Sequence, residues 1–352
     1  MVRYNAAVVG LGRIGFDFVL DRKREQPASH CAAYSMNKRT NLIAGVDTDE
    51  ACRRLFHKTF PKSAVFSDID SLFASMMPDI VSVSVSEESH LDAVQNVIAH
   101  KPRLVVLEKP VALNVADGER IIQCAKTHNV PVLVNHNRRF ADDYRQTKRL
   151  IDEGLLGDIH TCNAKLWAGS VIYSKDRFER GECSLLHDGT HLIDILRFLF
   201  GEHFNSPTVT ALRRTDRTVK NEQTGETEIE TELVRYLGLC YSFGQTVVNI
   251  EISGQKKYFG FELDIIGSRG RIVIGNGYYK VYTAQKSPFY DNFTSLVRQK
   301  QYKTFRETHY FSNMVSNAAA FLDGSAQLFS TLEDGVGVLR DLTAIASVID
   351  NN

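Results

Sequence analysis

Short apolar runs alternate with amphipathic stretches through the first part of the chain. Runs such as Ala6-Ala7-Val8-Val9 are apolar throughout, which is typical of strands buried on both faces of a parallel sheet. Between the runs, apolar residues recur at a helical period. The alternation predicts βαβ units and a doubly wound sheet. The predicted strands cover residues 4–9, 41–46, 80–85, 104–107 and 132–134, and the predicted helices include 50–58, 89–99 and 114–127.

A different pattern begins after Arg149. In the segment Phe261-Glu262-Leu263-Asp264-Ile265 apolar and acidic residues alternate, as in an antiparallel sheet with one covered face. The glycines of Gly267-Ser268-Arg269-Gly270 predict a turn. We therefore expect a second, α+β domain built on a largely antiparallel, open-faced sheet. Its predicted strands cover residues 160–173, 208–213, 227–241, 247–253, 259–266 and 271–274, and a last helix covers 332–349.

Composition and charge exclude several classes of protein. The 352 residues are 43% hydrophobic and 24% charged, which is ordinary for globular proteins and unlike disordered ones. Lysine plus arginine and aspartate plus glutamate both number 42, so no net field attracts nucleic acid or an anionic membrane. No apolar run approaches the roughly 20 residues of a membrane span. Six irregularly spaced cysteines and a start without a signal peptide predict reduced thiols and a cytoplasmic protein.

A glycine-rich motif follows the first predicted strand. Gly10-Leu11-Gly12-Arg13-Ile14-Gly15 has the G-x-G-x-x-G arrangement, in which the glycines allow a pyrophosphate to approach the start of a helix. Asp47, directly after the second strand, is placed to accept the ribose hydroxyls of an adenosine and to repel a 2′-phosphate. The pattern predicts a Rossmann domain over residues 1–135 that binds NAD rather than NADP, and a second domain over 136–352. The predicted cofactor-binding residues here are Gly10, Gly12, Arg13, Ile14, Gly15 and Asp47.

An insertion separates the glycines from the acid. Asp47 lies 32 residues after Gly15, more than the usual spacing of about 20. Residues 16–29 are too charged, and too interrupted by Pro27, to continue a packed helix, whereas an apolar pattern resumes at His30. We interpret the insertion as a surface loop beside the phosphate end of the site. A lid or a substrate contact is the alternative interpretation.

Three further segments carry a resemblance to a known family. Ser86-Glu87-Glu88-Ser89-His90 follows the third strand, Glu108-Lys109-Pro110 the fourth, and Asn135-His136-Asn137-Arg138-Arg139-Phe140 the fifth. The chain resembles the superfamily of glucose–fructose oxidoreductase, inositol dehydrogenase and MocA, which contains NAD(P)-dependent sugar and cyclitol dehydrogenases. The likeness covers nearly the whole chain, including residues 181–194 and 267–270. The tripeptide E-K-P is its most specific element.

The resemblance implies roles for several residues. Lys109 corresponds to the family's lysine beside the nicotinamide and the reacting hydroxyl, where an ammonium can donate to a developing alkoxide. Ser86, His90, Glu108 and Asn137 are expected to bind the cofactor. Arg138 and Trp167 are expected to contact the substrate, and Tyr144 and Lys165 are weaker candidates. Assembly into homodimers or homotetramers through the second sheet is also implied.

A second group of polar residues lies in the segment 185–194. On a continuous helix, His187, His191 and Asp194 share one face, and leucines occupy the other. His191 matches the histidine that acts as base or acid in the family, and His187 stands where the family has an aspartate. Asp194 is then a candidate for orienting His191, and His187 for contacting substrate. We assign His191 and His187, with Lys109, as catalytic residues.

Other functions fit parts of the same pattern. The spacing of His187 and His191 is that of two zinc ligands in H-E-x-x-H metalloproteases, but no third ligand is evident, and we predict no metal. The favoured function is hydride transfer between NAD and a secondary alcohol of a sugar, cyclitol or sugar derivative. Alternatives are an NAD-dependent glycosidase that oxidises its sugar transiently, and a sensor that binds NAD(H) without turnover.

Overall fold

The computed structural model describes residues 3–201, 207–220, 225 and 227–352, apart from the side chains of residues 228 and 243. The chain forms two compact units. The first unit comprises Met1–Asp142 and Glu307–Leu339, and the second comprises Asp143–Arg306 and Arg340–Asn352. Within the described residues, no helix has both the length and the apolar character needed to cross a membrane.

This division differs from the predicted domains at two segments, because residues 136–142 and 307–339 both belong to the first unit. Residues 307–339, which the sequence pattern placed in the second domain, pack with the first unit. The reason is the apolar face of the helix Tyr310–Leu322. Its residues Phe311, Met314 and Val315 belong to the same buried cluster as Tyr4 and Tyr34 near the start of the chain.

The first unit contains a six-stranded parallel sheet. Its strand order, β3-β2-β1-β4-β5-β6, is that of a dinucleotide-binding doubly wound domain and confirms the predicted fold class. Such a sheet brings the carboxyl ends of all six strands to one edge. The elements are β1 (Tyr4–Val9), α1 (His30–Met36), β2 (Thr40–Val46), α2 (Glu50–Thr59), β3 (Ala64–Phe66), α3 (Ile69–Ser75), β4 (Ile80–Val83), α4 (His90–Ala99), β5 (Leu104–Leu107), α5 (Val115–His128), β6 (Val132–Val134) and α6 (Asn137–Phe140).

The second unit is built on an eight-stranded sheet in the order β14-β13-β12-β11-β7-β10-β9-β8. Neighbouring strands are antiparallel except β10 and β7, which are parallel. The predicted open-faced, largely antiparallel sheet is therefore confirmed. The elements are α7 (Asp142–Asp152), β7 (Ile159–Trp167), α8 (Lys175–Glu179), α9 (Ser184–His187), α10 (Gly189–Phe200), β8 (Thr208–Lys220), β9 (Thr227–Phe243), β10 (Thr246–Ser253), β11 (Gly260–Gly267), β12 (Gly270–Gly275), β13 (Tyr278–Lys286) and β14 (Thr294–Arg298).

Two helices complete the chain, α11 (Tyr310–Leu322) and α12 (Leu332–Asp350). The first unit takes α11 and the part of α12 up to Leu339, and the second unit takes the rest of α12. In the first unit, Gly118 of α5 lets Val336 of α12 approach, because a Cβ at Gly118 would lie 3.0 Å from Val336.

The two faces of the second sheet differ in polarity. Along β7, Cys162, Ala164 and Leu166 are fully buried, whereas the alternate residues are half-exposed. The half-exposed face carries polar pairs rather than an apolar surface. The reason is that the apolar face of these strands is the one already buried within the chain. The pairs include Lys165 with Glu262 (3.3 Å), Arg271 with Asp264 (2.7 Å) and Asn249 with Asn163 (3.1 Å).

The insertion at residues 16–29 forms a loop whose ends meet. The amides of His30 and Cys31 donate to the carbonyls of Ile14 and Gly15 at 3.1 and 3.0 Å, so the helical turn begun at the glycines resumes after the loop. Loops of this length with closed ends are typical Ω-loops. The Glu25 carboxylate accepts hydrogen bonds from the amide and hydroxyl of Thr308 and from the amide of His309, which tethers the loop within the first unit.

Candidate cofactor cleft and catalytic residues

The glycine motif forms a tight turn at the carboxyl end of β1. Gly10 has φ +89°, and a Cβ there would lie 2.6 Å from the Ser84 backbone; one at Gly15 would lie 2.0 Å from the Gly10 carbonyl oxygen. A Cβ at Gly12, by contrast, would meet nothing within 4 Å. Gly10 and Gly15 are therefore required by the packing of the turn. Gly12 leaves open space in front of it.

That open space belongs to a cleft of about 530 Å³ at the carboxyl edge of the sheet. Asp47 lies in its wall, and its carboxylate accepts hydrogen bonds from the amides of Leu11 (2.7 Å) and Asp49 (2.8 Å). The cleft follows the ends of strands β1 to β4. Its lining residues are Val9, Gly10, Gly12, Val46, Asp47, Thr48, Ser67, Asp68, Ile69, Ser84, Val85, Ser86, Ser89, Ala93 and Asn96.

The residues of the cleft fit a dinucleotide. The unhindered face of Gly12 is what a pyrophosphate needs for close approach to the backbone. Asp47 offers a fixed carboxylate for the ribose hydroxyls on the same side of the sheet. Of the other residues of the motif, Arg13 is exposed and Ile14 half-buried, and neither lines the cleft.

Two further predicted cofactor-binding residues differ in their exposure. Ser86 is exposed and lines the cleft, and its hydroxyl lies 3.5 Å from that of Ser89. His90 is only 1% exposed. Its Nδ1 lies 2.8 Å from the Pro110 carbonyl and its Nε2 lies 3.2 Å from the Val85 carbonyl. His90 therefore joins the loops that follow β4 and β5, and burial lowers its pKa.

Glu108 is the acceptor at the centre of a buried network. It is 6% exposed, and its Oε1 accepts from His30 Nε2 (2.8 Å) and from Asn135 Nδ2 (2.6 Å). His30 Nδ1 in turn lies 2.9 Å from the Ser82 hydroxyl, which lies 2.7 Å from the Tyr34 hydroxyl. Because a carboxylate only accepts, a neutral His30 donates through Nε2 and accepts at Nδ1. Each donor hydrogen in this series of hydrogen bonds, from Tyr34 through Ser82 and His30, can then point towards Glu108.

These contacts decide the charge of Glu108. Burial by itself raises the pKa of a carboxyl group, but the hydrogen bonds from His30 and Asn135 and the nearby Lys109 outweigh it. The pKa of Glu108 therefore lies below its usual value, and the group is an anion at neutral pH. The hydrogen bonds join a serine, a histidine and a carboxylate (Ser82, His30 and Glu108), as in the catalytic triad of hydrolases. Their burial excludes a substrate, so the network is structural.

Lys109 follows β5 by two residues at the same edge of the sheet as the cleft. It is half-buried, and its amide lies 3.3 Å from Glu108 Oε2. The peptide bond from Lys109 to Pro110 is cis. Asn137 and Arg138, both half-buried, lie at the start of α6, which follows β6. Lys109, Asn137 and Arg138 thus all follow the ends of neighbouring strands of the first unit.

The second unit holds the two predicted catalytic histidines. They do not share one continuous helix: α9 ends at His187, and α10 begins at Gly189. The His191 amide donates to the Asp188 carbonyl at 3.1 Å, an i→i+3 hydrogen bond that tightens the turn. His187 and His191 are half-buried, whereas Asp194 is 1% exposed. The roles assigned to these residues stay predictions.

The predicted substrate residues in the second unit occupy different surroundings. Trp167 lies on the half-exposed, polar face of β7, and its indole packs over Gly260, where a Cβ would lie 2.0 Å from the ring. Lys165, on the same face, is paired with Glu262. Tyr144 is buried, with its ring edge-on to Phe261. In the structure, Trp167 and Tyr144 therefore make packing contacts, and Lys165 makes an ion pair.

In the described ranges, no group of three or more histidine, cysteine, aspartate or glutamate side chains is arranged to hold a metal ion.

Sequence reasoning missed several residues of the cleft and its support. Asp68 and Asn96 line the cleft, and His30 and Asn135 hold Glu108. Asp68 had a usable signal, because it follows an apolar triplet that ends at the same sheet edge as β2. The partners of Glu108 had none, because His30 is 78 residues away in the sequence.

Comparison with known families decides the classification. The family described as "Oxidoreductase family, NAD-binding Rossmann fold" matches residues 4–136, and the "GFO/IDH/MocA C-terminal domain" matches residues 144–273. Together they cover most of the chain. The chain belongs to the Gfo/Idh/MocA oxidoreductase family. The predicted family and its NAD-binding domain are therefore confirmed.

Individual relatives agree with this membership. The inositol 2-dehydrogenase of Rhizobium meliloti is 22% identical over 94% of this chain and 92% of its own length. A 1-carboxy-3-chloro-3,4-dihydroxycyclohexa-1,5-diene dehydrogenase of Comamonas testosteroni is 29% identical over 47% of this chain, and the match spans only 43% of that enzyme. An NAD-binding oxidoreductase of Klebsiella pneumoniae has the same fold, with a TM-score of 0.78, 18% identity and coverage of 100% and 98% of the two chains.

Proposed function

We propose that the protein is an NAD-dependent dehydrogenase that transfers a hydride between the nicotinamide and a secondary alcohol of a sugar, cyclitol or sugar derivative. The observation that carries the proposal is the position of Lys109. It follows β5 in the same parallel sheet whose strands β1 and β2 end in the glycine turn and Asp47. Relatives named as inositol and D-apiose dehydrogenases support the substrate class.

The residues of this chain divide the work as follows. Gly12 and Asp47 hold the pyrophosphate and the adenosine ribose. NAD, when bound there, would supply the hydride acceptor or donor. Lys109 donates a hydrogen bond to the reacting oxygen and stabilises the negative charge that develops there. His191 removes the hydroxyl proton during oxidation and returns it during reduction.

The first experiment is a binding and turnover screen with the purified full chain. NADH is titrated by its fluorescence, and NAD reduction is followed by near-ultraviolet absorbance with cyclitols, sugars and nucleotide sugars as substrates. Formation of NADH in proportion to one substrate class establishes the dehydrogenase. Tight binding of NADH without reduction by any substrate contradicts it and indicates a sensor. Release of a sugar from a glycoside without accumulation of NADH contradicts it and indicates a glycosidase.

Variants assign the two proposed catalytic residues. We expect Lys109→Ala and His191→Ala to lower kcat by at least about a hundredfold, the usual scale for acid–base and charge-stabilising groups. The dissociation constant of NADH should change much less. Lys126→Ala and His100→Ala are matched controls, because these side chains pair with Glu333 and Asp70 outside the cleft. A normal kcat in either test variant would remove that residue from the mechanism.

We also propose that the protein assembles through the sheet of the second unit and works in the cytoplasm. The polar pairs of the half-exposed face make that face suitable for a polar rather than an apolar interface. All six cysteines are thiols, as a reducing compartment requires. Light scattering of the purified chain at low and high salt tests the assembly, and cell fractionation tests the location. A monomer under all conditions would contradict the first part.

A further inference from the structure

The cofactor cleft has a second carboxylate besides Asp47. Strands β2 and β3 pair in parallel with Val46 opposite Phe66, and the Asp47 amide donates to the Phe66 carbonyl at 3.2 Å. Asp68 follows β3 by two residues. The two acids therefore leave adjacent strands at the same edge of the sheet, and both line the cleft.

The Asp68 side chain is held in a fixed orientation. It is the N-cap of α3: Oδ1 accepts from the Ser71 amide (2.8 Å), and Oδ2 accepts from the hydroxyls of Ser67 (2.8 Å) and Ser71 (2.9 Å). These hydrogen bonds lower the pKa of Asp68, so the group is an anion at neutral pH. Capping does not require the charge, because asparagine and serine cap helices about as well as aspartate.

No cation of the cleft wall offsets this charge. Of the described residues that line the cleft, none is a lysine or an arginine. Arg53, six residues after Asp47, points its Nη1 at the carbonyls of Asp47 (2.7 Å) and Thr48 (2.8 Å). Sites that accept a 2′-phosphate usually provide an arginine for it. Here the adenosine end presents carboxylates instead.

We propose that Asp68 is a second determinant of cofactor choice, which acts with Asp47 to exclude a 2′-phosphorylated dinucleotide. The inference rests on the proposed function and concerns the same cleft. A phosphate with a charge near −2 and a carboxylate on the order of 8 Å apart in water repel each other enough to weaken binding by about fivefold. NADH carries no phosphate at that position and is affected little.

The test compares the binding of NADH and NADPH to the full chain by fluorescence titration. Asp68→Asn and Asp68→Ser both keep the cap and remove the charge, and thermal unfolding verifies that each variant folds. At ~0.01 M salt we expect NADPH to bind about fivefold more tightly to both variants, with NADH changed less than about twofold. At ~1 M salt, where the Debye length is about 3 Å, the difference should disappear.

Asp70→Asn is the matched control. Asp70 lies on the same helix, is exposed, pairs with His100 at 3.0 Å and does not line the cleft. Unchanged NADPH affinity in both Asp68 variants, or an equal gain in Asp70→Asn, would overturn the inference while leaving NADH binding and the proposed function intact. If the wild-type chain binds neither dinucleotide, the proposed function fails, and the inference fails with it.

Discussion

Replacement of Glu108 by alanine tests the buried network of hydrogen bonds that converge on this carboxylate. The substitution removes the acceptor of two buried donors, His30 Nε2 and Asn135 Nδ2, which lie 2.8 and 2.6 Å from Oε1. Each buried donor left without a partner costs about 1–3 kcal/mol. We therefore expect Glu108→Ala to lower the free energy of unfolding by about 4 kcal/mol, within the range of about 3–5 kcal/mol for breaking a buried pair.

Two further variants separate the carboxylate from the rest of the network. Glu108→Gln keeps an oxygen for the two donors but loses the charge and the Oε2 acceptor that lies 3.3 Å from the Lys109 amide, so its cost should be about 1–2 kcal/mol. Tyr34→Phe removes the hydroxyl that lies 2.7 Å from Ser82, at the end of the hydrogen-bonded series farthest from Glu108. It leaves no donor unsatisfied. Its cost should be about 1 kcal/mol.

Urea unfolding followed by circular dichroism measures these differences. Hydrogen–deuterium exchange of peptides that contain α1 and β5 locates them, and both peptides should exchange faster in Glu108→Ala. If Glu108→Ala costs no more than Tyr34→Phe, the buried donors do not depend on the carboxylate and the reasoning is wrong.

The same network predicts a dependence of stability on pH. Because the pKa of Glu108 is lower in the folded chain than its usual value of 4.5, its ionisation stabilises the fold above that value. This contribution is lost as the pH falls through the folded pKa. Glu108→Gln has no such group, so its unfolding free energy should fall less steeply below pH 4.5 than that of the wild type. Parallel curves for the two proteins would contradict the assignment.

The remaining predictions concern the glycine turn and the Ω-loop. Gly12→Ala should fold with wild-type stability and bind NADH at least about tenfold more weakly in a fluorescence titration, because its Cβ enters only the open cleft. Gly15→Ala should lower the unfolding midpoint, since its Cβ would lie 2.0 Å from a carbonyl oxygen; equal midpoints in the two variants would contradict this account. Glu25→Ala should free the loop from residues 308–309, so that trypsin cleaves after Arg22, Lys23 and Arg24 faster than in the wild type, whereas Glu50→Ala, which removes only an exposed ion pair, should not change the rate.

The pattern of the sequence determined most elements of the first unit. The strands over 4–9, 104–107 and 132–134 have the predicted bounds, because short continuous apolar runs between turn residues are typical of strands buried on both faces of a parallel sheet. Strand β3 was missed; unlike β6, which is equally short but fully buried, it is an edge strand whose three residues are only half-buried. Strand β14 was missed because it alternates between exposed and half-exposed positions and has no buried face to mark it.

The helix of the two histidines shows the limit of a local rule. Periodicity placed His187 and His191 on one continuous helix, and the structure divides that segment at Asp188. Close packing at Gly189 accompanies the division, since a Cβ there would lie 3.3 Å from Leu185 and 3.5 Å from Leu342. Leu342 is distant in the sequence, so helical spacing alone carried no information about it.

The amino-acid sequence by itself determined the parallel sheet, the glycine turn, Asp47 and the position of Lys109, because each depends on residues near it in the chain. Tertiary structure alone decided which groups hold these residues in place. Asp68 reaches the cleft through the pairing of β3 with β2, and Glu108 obtains its donors from His30 and Asn135. Buried polar groups must find partners wherever packing brings them, and packing joins residues regardless of their separation along the chain.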